Sequence, residues 1–287
     1  VINNDPNESG YRTANDAAMR AMFTEENGYE ATFFNNNDAA QQIQTAQQMI
    51  QDEVDFLLLS PASKTGWDTV LQDAQAAGTQ IILFDRMLDA DDSMYVAAVV
   101  SDMPAEGETA VNWLVEQGLD EYNIIHIQGV MGNDAQVGRT GALDAKVNAE
   151  ANWNYVVQQT ANWDEETART ITQSVIDSGK PFNVIYAENN GMARGAAAAL
   201  DANGITHGKD GEVIVMGFDS DTWAMESVLS GSWNYMGLCN PLQAETVDQI
   251  IKDLVAGKQP AEKIIYSYEP GFDCNGITQA DIDTYGT

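Results

Sequence analysis

Residues 81–86 read Ile81-Ile82-Leu83-Phe84-Asp85-Arg86, and this stretch decides the fold. Four consecutive apolar residues predict a short strand covered on both faces, the mark of a parallel sheet between helices. Asp85 and Arg86 are delivered together at its carboxyl end. In open α/β sheets small molecules bind beyond the carboxyl ends of strands. An ionised Asp only accepts hydrogen bonds and an Arg only donates them, whereas a hydroxyl does both, so the two side chains suit a polyhydroxylated ligand. Taken alone, the dipeptide fits an ordinary strand-end ion pair better than a ligand site.

The same rhythm extends in both directions. Strands are predicted at Val1-Ile2, Ala31 to Phe34, Phe56 to Leu59, Ile81 to Phe84 and Tyr95 to Val100, with helices between them. Asp38 is expected to cap a helix carrying Ile43, Ala46 and Ile50, and Ser63 to Thr65 to open one carrying Trp67, Val70 and Leu71. A second series follows Ser101-Asp102. It begins with a helix bearing Val111, Leu114 and Val115, then strands at Ile124 to Ile127, Tyr155 to Val157, Val184 to Ala187 and Val213 to Met216. The helix from Leu242 to Val255 and the strand Ile264 to Tyr266 come late and are expected to return to the first sheet. The expectation is therefore an α/β protein of two Rossmann-like lobes. One takes residues 1–102 plus 240–267, the other 103–239 plus 268–287, with three crossings near Ser101, Cys239-Asn240 and Tyr268 that let the lobes close like jaws.

Composition narrows the function. The chain has 287 residues, 44 acidic against 13 basic, and a formal charge of −31, which repels phosphate backbones and argues against nucleic-acid binding. Arg is scarce: Arg12, Arg20, Arg86, Arg139, Arg169 and Arg194 are the whole set. Cys239 and Cys274 are too few and too far apart for a zinc or CxxC motif, and a disulfide between them stays open. No apolar window reaches the length of a membrane-spanning helix. Val1-Ile2 already reads as a strand, and whether a targeting segment stands ahead of it in the native chain is left open.

Catalytic signatures are missing. There is no phosphate-binding glycine loop, dinucleotide fingerprint or GxSxG elbow. His126 falls inside a strand and His207 in a loop, both read as structural. Residues 89–93 (Asp-Ala-Asp-Asp-Ser) lack the Gly and Glu of a calcium loop, so neither a metal nor a cofactor is expected.

Several strings together carry a resemblance. "ESGYR" at 8–12, "SPASKTGW" at 60–67, "FDR" at 84–86, "QGVMG" at 128–132 with Arg139, and "YAENNGM" at 186–192 make the chain resemble the periplasmic sugar-binding proteins of bacterial ABC transporters, in the ribose/galactose class and nearest its galactofuranose-binding subgroup. The likeness runs the whole length. It implies the type I periplasmic binding protein fold, a monosaccharide ligand such as galactofuranose or fructose, an ABC transporter permease as partner, a monomer, no enzyme activity, and a periplasmic or cell-surface location with lipid anchoring left open. Carried over residue by residue, it implies that Glu8, Arg12, Asp85 and Arg86 face the sugar from one lobe. Arg139, Trp163, Asn189 and Asp219 face it from the other, with Asn240 a further candidate at a crossing. Asp219 also fits a helix cap, Trp163 a core position, and Glu8 with Arg12 a pair at a helix start. Val130, Asn190 and Gly191 depart from the subgroup, which leaves the sugar's identity open. Two other roles compete: the sensor domain of a transcription regulator or of a chemotaxis or kinase system, and a sugar-modifying enzyme.

Overall fold

The computed structural model describes residues 1–287, which divide into two compact units. The first comprises Val1–Ser101 and Pro241–Tyr268, the second Asp102–Asn240 and Glu269–Thr287.

In the first unit the chain runs β1 (Ile2–Asn3), α1 (Gly10–Met22), β2 (Phe34–Asn35), α2 (Ala39–Gln51), β3 (Phe56–Leu59), α3 (Asp68–Ala77), β4 (Gln80–Asp85) and β5 (Ala97–Val100). The six-stranded sheet has the order β11-β5-β4-β3-β1-β2, where β11 is the late strand Ile264–Tyr266. Every pairing in it is parallel. Alternation explains why the apolar run of β4 has no polar break. Ile81 and Leu83 pack with Leu57, Leu59 and residues of α2 and α3 on one face. Ile82 and Phe84 pack with Met19 of α1, with Phe23 at its C-cap and with Val247, Ile250 and Ile251 of a helix at Ala244–Val255 on the other. Two-sided cover of this kind is what a parallel sheet requires. It leaves Asp85, paired with Val100, as the last residue of the strand.

Local expectations fare unevenly. Asp38 caps α2, its Oδ1 accepting the N–H groups of Ala40 and Gln41 at 2.8 and 3.3 Å. Ser63 to Thr65 do not cap α3, which starts at Asp68 after an N-cap Trp67 that makes no side-chain cap bond. The Ser63 carbonyl instead accepts the Trp67 indole N–H at 2.9 Å, so the indole is anchored rather than the helix. The strand expected from Ala31 shrinks to Phe34–Asn35 because β1 supplies partners only at Ile2 and Asn3, and Ala31 and Thr32 lie exposed.

The second unit contains α4 (Met103–Glu116), β6 (Tyr122–Gln128), α5 (Asp134–Ala149), β7 (Trp153–Thr160), α6 (Glu165–Ser178), β8 (Val184–Ala187), α7 (Asn190–Ala202), β9 (Ile214–Asp219), α8 (Thr222–Leu229) and β10 (Tyr235–Leu238). After α9 (Ala244–Val255) and β11 the chain adds β12 (Gly271–Asp273) and α10 (Gln279–Tyr285). The sheet order is β12-β10-β9-β8-β6-β7, parallel throughout except for the antiparallel β10–β12 edge. Ile124, Val184, Tyr186, Met216 and Phe218 build its core against Ala110, Val111 and Leu114 of α4 and Leu143 of α5. β10 and β12 escape sequence reading because each is short and contains a glycine. Gly237 is needed in β10, since a Cβ there would press against the Phe218 ring. Cys239 and Cys274 are both free thiols, which answers the disulfide question. No helix is long and apolar enough to cross a membrane.

Candidate functional site

In the first unit Asp85 organises a charged cluster shut off from solvent. Its Oδ1 accepts the Tyr11 hydroxyl at 2.8 Å, and its Oδ2 accepts from Arg12 Nη1 and Ser60 Oγ. Gln243 Nε2 donates to the Tyr11 oxygen at 3.2 Å, so α1 and the segment before α9 hold the ring together. Arg86 Nε lies 3.8 Å from Asp85 Oδ2, and Arg86 Nη2 lies 3.9 Å from Glu8 Oε1. Glu8 Oε2 also lies 3.6 Å from Arg12 Nε, one helical turn away.

Burial opposes ionisation of Asp85, but Arg12 and then Arg86, with hydrogen bonds from Ser60 and Arg12, hold its carboxyl below the usual carboxylate range. Burial likewise opposes the charge on Arg12; Asp85 and Glu8 overcome it and raise that pKa. Arg86 differs. Burial, then the neighbouring Arg12 cation, hold its pKa below the usual value. Arg86 Nε is a buried donor that meets no acceptor, and Glu8 Oε2 a buried acceptor that meets no donor. Such unmet groups are costly unless something else satisfies them.

Backbone strain marks the same place. Asp85 adopts φ +67°, and in the second unit Asp219, the last residue of β9, adopts φ +118°. Both follow a phenylalanine at a strand end. Asp tolerates the left-handed region better than most residues, and strain of this kind collects at functional positions.

In the second unit Arg139 is nearly shut off from solvent and already well engaged. Its Nε and Nη2 both reach Glu106 Oε2 at 2.7 Å, its Nη1 donates to the Glu188 carbonyl, and the guanidinium lies 4.6 Å from the Phe218 ring centroid. Asp219 Oδ1 stands 4.0 Å from Arg139 Nη1. Asn189 caps α7, its Oδ1 accepting the Met192 N–H at 2.7 Å. The cap role considered for Asp219 does not arise, because Asp221 is the residue at the start of α8. Asn240 reaches the cluster through its backbone, donating to Glu269 Oε1 at 2.7 Å.

Trp163 sits at φ +68°, directly after Asn162 at φ +53°, and its indole Nε1 is buried with no partner. The ring lies over Gly129, where a Cβ would fall inside the indole. Gly129 is held at both ends: its N–H donates to Glu188 Oε2 at 2.7 Å, and its carbonyl accepts the Thr160 hydroxyl. Glu188 in turn is fixed by Thr140 and by His126, whose Nε2 lies 3.0 Å from Oε1. His126 is thus a structural group, as is His207, whose Nδ1 lies 2.9 Å from the Ser232 carbonyl oxygen.

The structure therefore brings Glu8, Arg12, Asp85 and Arg86 into one cluster of the first unit. It links Arg139 with Asp219, places Trp163 and Asn189 on flanking loops, and joins the Asn240 N–H to Glu269. Sequence reasoning missed Tyr11, Ser60 and Glu188, although each lies inside a quoted string. It also missed Glu106 and Glu269, for which an acid in a helix's first turn and an acid before a Pro gave no signal.

Comparison with known proteins identifies the family. Residues 1–259 match the family described as periplasmic binding protein domain. The fructose import binding protein of Bifidobacterium longum is 31% identical over 281 residues, covering 95% of this chain and 84% of that protein. The galactofuranose-binding protein of Escherichia coli is 26% identical over 71% of this chain and 65% of its own length. Among solved structures, a Mycobacterium smegmatis protein in complex with β-D-fucofuranose superposes with TM-score 0.87 at 28% identity, covering 99% of this chain and 92% of that one. With both sheets, their order and the family match in agreement, this chain belongs to the periplasmic binding proteins.

Proposed function

We propose that the protein captures one monosaccharide, a fructose, galactofuranose or related sugar, and delivers it to the permease of an ABC importer at the cell exterior or in the periplasm. One observation carries the reading: Arg86 Nε and Glu8 Oε2, a buried donor and a buried acceptor, stand unmet in the same cluster. Sugar hydroxyls, which both accept and donate, suit groups of both kinds. The first unit offers Glu8, Arg12, Asp85 and Arg86 as sugar-reading residues, and the second offers Arg139, Trp163, Asn189, Asp219 and Asn240. The names of the relatives, importers of fructose and binders of galactofuranose, support the sugar class.

Binding is the whole task. A micromolar Kd corresponds to about −8 kcal/mol, which over about a dozen heavy atoms is roughly −0.7 kcal/mol each, inside the ceiling for small ligands. Charged partners make each hydroxyl contact stronger than neutral ones would. The protein acts as a monomer, and the permease recognises its ligand-bound form. Isothermal calorimetry against a panel of pentoses, hexoses and furanose-rich sugars tests this. Saturable heat with at least one sugar is expected, lost in Arg86→Ala, and a panel with no heat overturns the proposal.

A further inference from the structure

The chain passes between the two units at Ser101–Asp102, Asn240–Pro241 and Tyr268–Glu269. Glu106, Cys239 and Glu269, close in sequence to these three points, meet in the second unit. One oxygen of each carboxylate and the Cys239 sulfur lie within 4.8 Å of one another. The Glu106 carboxylate thus faces both the Cys239 thiol and the Glu269 carboxylate. Its Oε2 is the oxygen that receives Arg139, while its buried Oε1 meets no donor when every acid is ionised. Glu269 Oε1 meanwhile accepts the Asn240 N–H.

The surrounding groups sharpen the imbalance. Arg139 faces the cluster from α5, Asp219 from the end of β9, Tyr235 from β10, and Cys239 follows β10. The Arg139 guanidinium thus serves Glu106 and Asp219. Two ionised carboxylates have only acceptors to offer one another, whereas a single proton converts one of them into a donor. We propose that Glu106 and Glu269 share one proton at neutral pH, and that this acid pair positions Arg139, so that sugar affinity falls when the proton leaves.

The inference rests on the sugar-capture reading. Burial pushes the Glu106 carboxyl up, and Arg139 with the hydrogen bonds of the cluster only partly opposes it. A metal ion suits the cluster less well. Burial, then Glu106 and Glu269, push the Cys239 thiol well up, so it keeps its proton, and Arg139 already occupies the other Glu106 oxygen. The sign follows from a raised pKa. The contribution of the pair is fully present below the ordinary Glu value of 4.5 and is lost as pH rises through the raised one. Deprotonation sends the proton to solvent and leaves two facing carboxylates that repel. Glu269 then loosens from Asn240, and Arg139 loses its fixed partner.

The experiment is a pH series of sugar affinity and thermal melting, from about pH 5 to about pH 9, on the wild type and Glu269→Gln. The Gln amide donates to Glu106 at every pH. Wild-type affinity should weaken about tenfold on the alkaline side, with a parallel fall in melting temperature, while Glu269→Gln keeps the acid-side affinity and gives a flat profile. Infrared spectroscopy should show a protonated-carboxyl band in the wild type at neutral pH that the variant lacks. Identical pH profiles, or no such band, overturn the shared proton. A wild type that binds no sugar at any pH overturns the capture reading instead, and the melting and infrared arms still decide the proton.

Discussion

Asp85 balances two buried cations at once, which makes it the most sensitive single residue of the first unit. Asp85→Asn keeps the shape but leaves Arg12 and Arg86 without their shared countercharge, and breaking a buried pair costs about 3 kcal/mol or more. Urea denaturation should show a loss of this order, and calorimetry the loss of sugar binding. The pH dependence has a fixed sign. Because the folded carboxyl is held below its ordinary value of 3.8, its contribution is present above that value and is lost as pH falls through the folded one. Asp85→Asn should therefore melt with a shallower acid limb than the wild type. A second residue, Gly129, has a different weight. Gly129→Ala drives a methyl group into the Trp163 ring, an overpacking that costs roughly 1–3 kcal/mol. Differential scanning calorimetry should show a lowered melting temperature, and sugar affinity should drop with it; unchanged values in both would mean that the indole is not fixed by this glycine.

At the scale of elements, caps and strand alternation decide what forms. Asp38 is the clearest case, and Asp38→Ala should cost about 1 kcal/mol in urea denaturation by freeing the first turn of α2. Much of the architecture was legible because apolar runs bounded by polar residues mark covered parallel strands. Phe56–Leu59, Val184–Ala187 and Ile264–Tyr266 match the sequence reading end to end. What failed was non-local. The β2 boundary depends on how much of β1 is available to pair, and the existence of β12 depends on β10, thirty-odd residues earlier. The candidate site shows the same division. Charged residues at strand ends, such as Asp85 and Asp219, stand out in sequence, while Glu106 does not, because only tertiary packing sets it against Arg139. The left-handed backbone of both aspartates was equally invisible, since nothing in a Phe-Asp pair announces φ above zero.

For the whole molecule the decisive feature is that the chain leaves the first unit at Ser101 and comes back at Pro241. During synthesis on the ribosome, a chain that has reached Asn240 possesses β1 to β5 but neither β11 nor α9. Leu58, Ile82 and Phe84 then lack the cover of Val247, Ile250 and Ile251. A polypeptide truncated after Asn240 should accordingly be cut by trace protease under conditions that spare the complete one, and equal resistance would show that α9 is dispensable. Distant parallel pairing is also slow to form. The first unit of the growing chain thus stays unsealed, with one face of its sheet partly bare, until its final segments emerge.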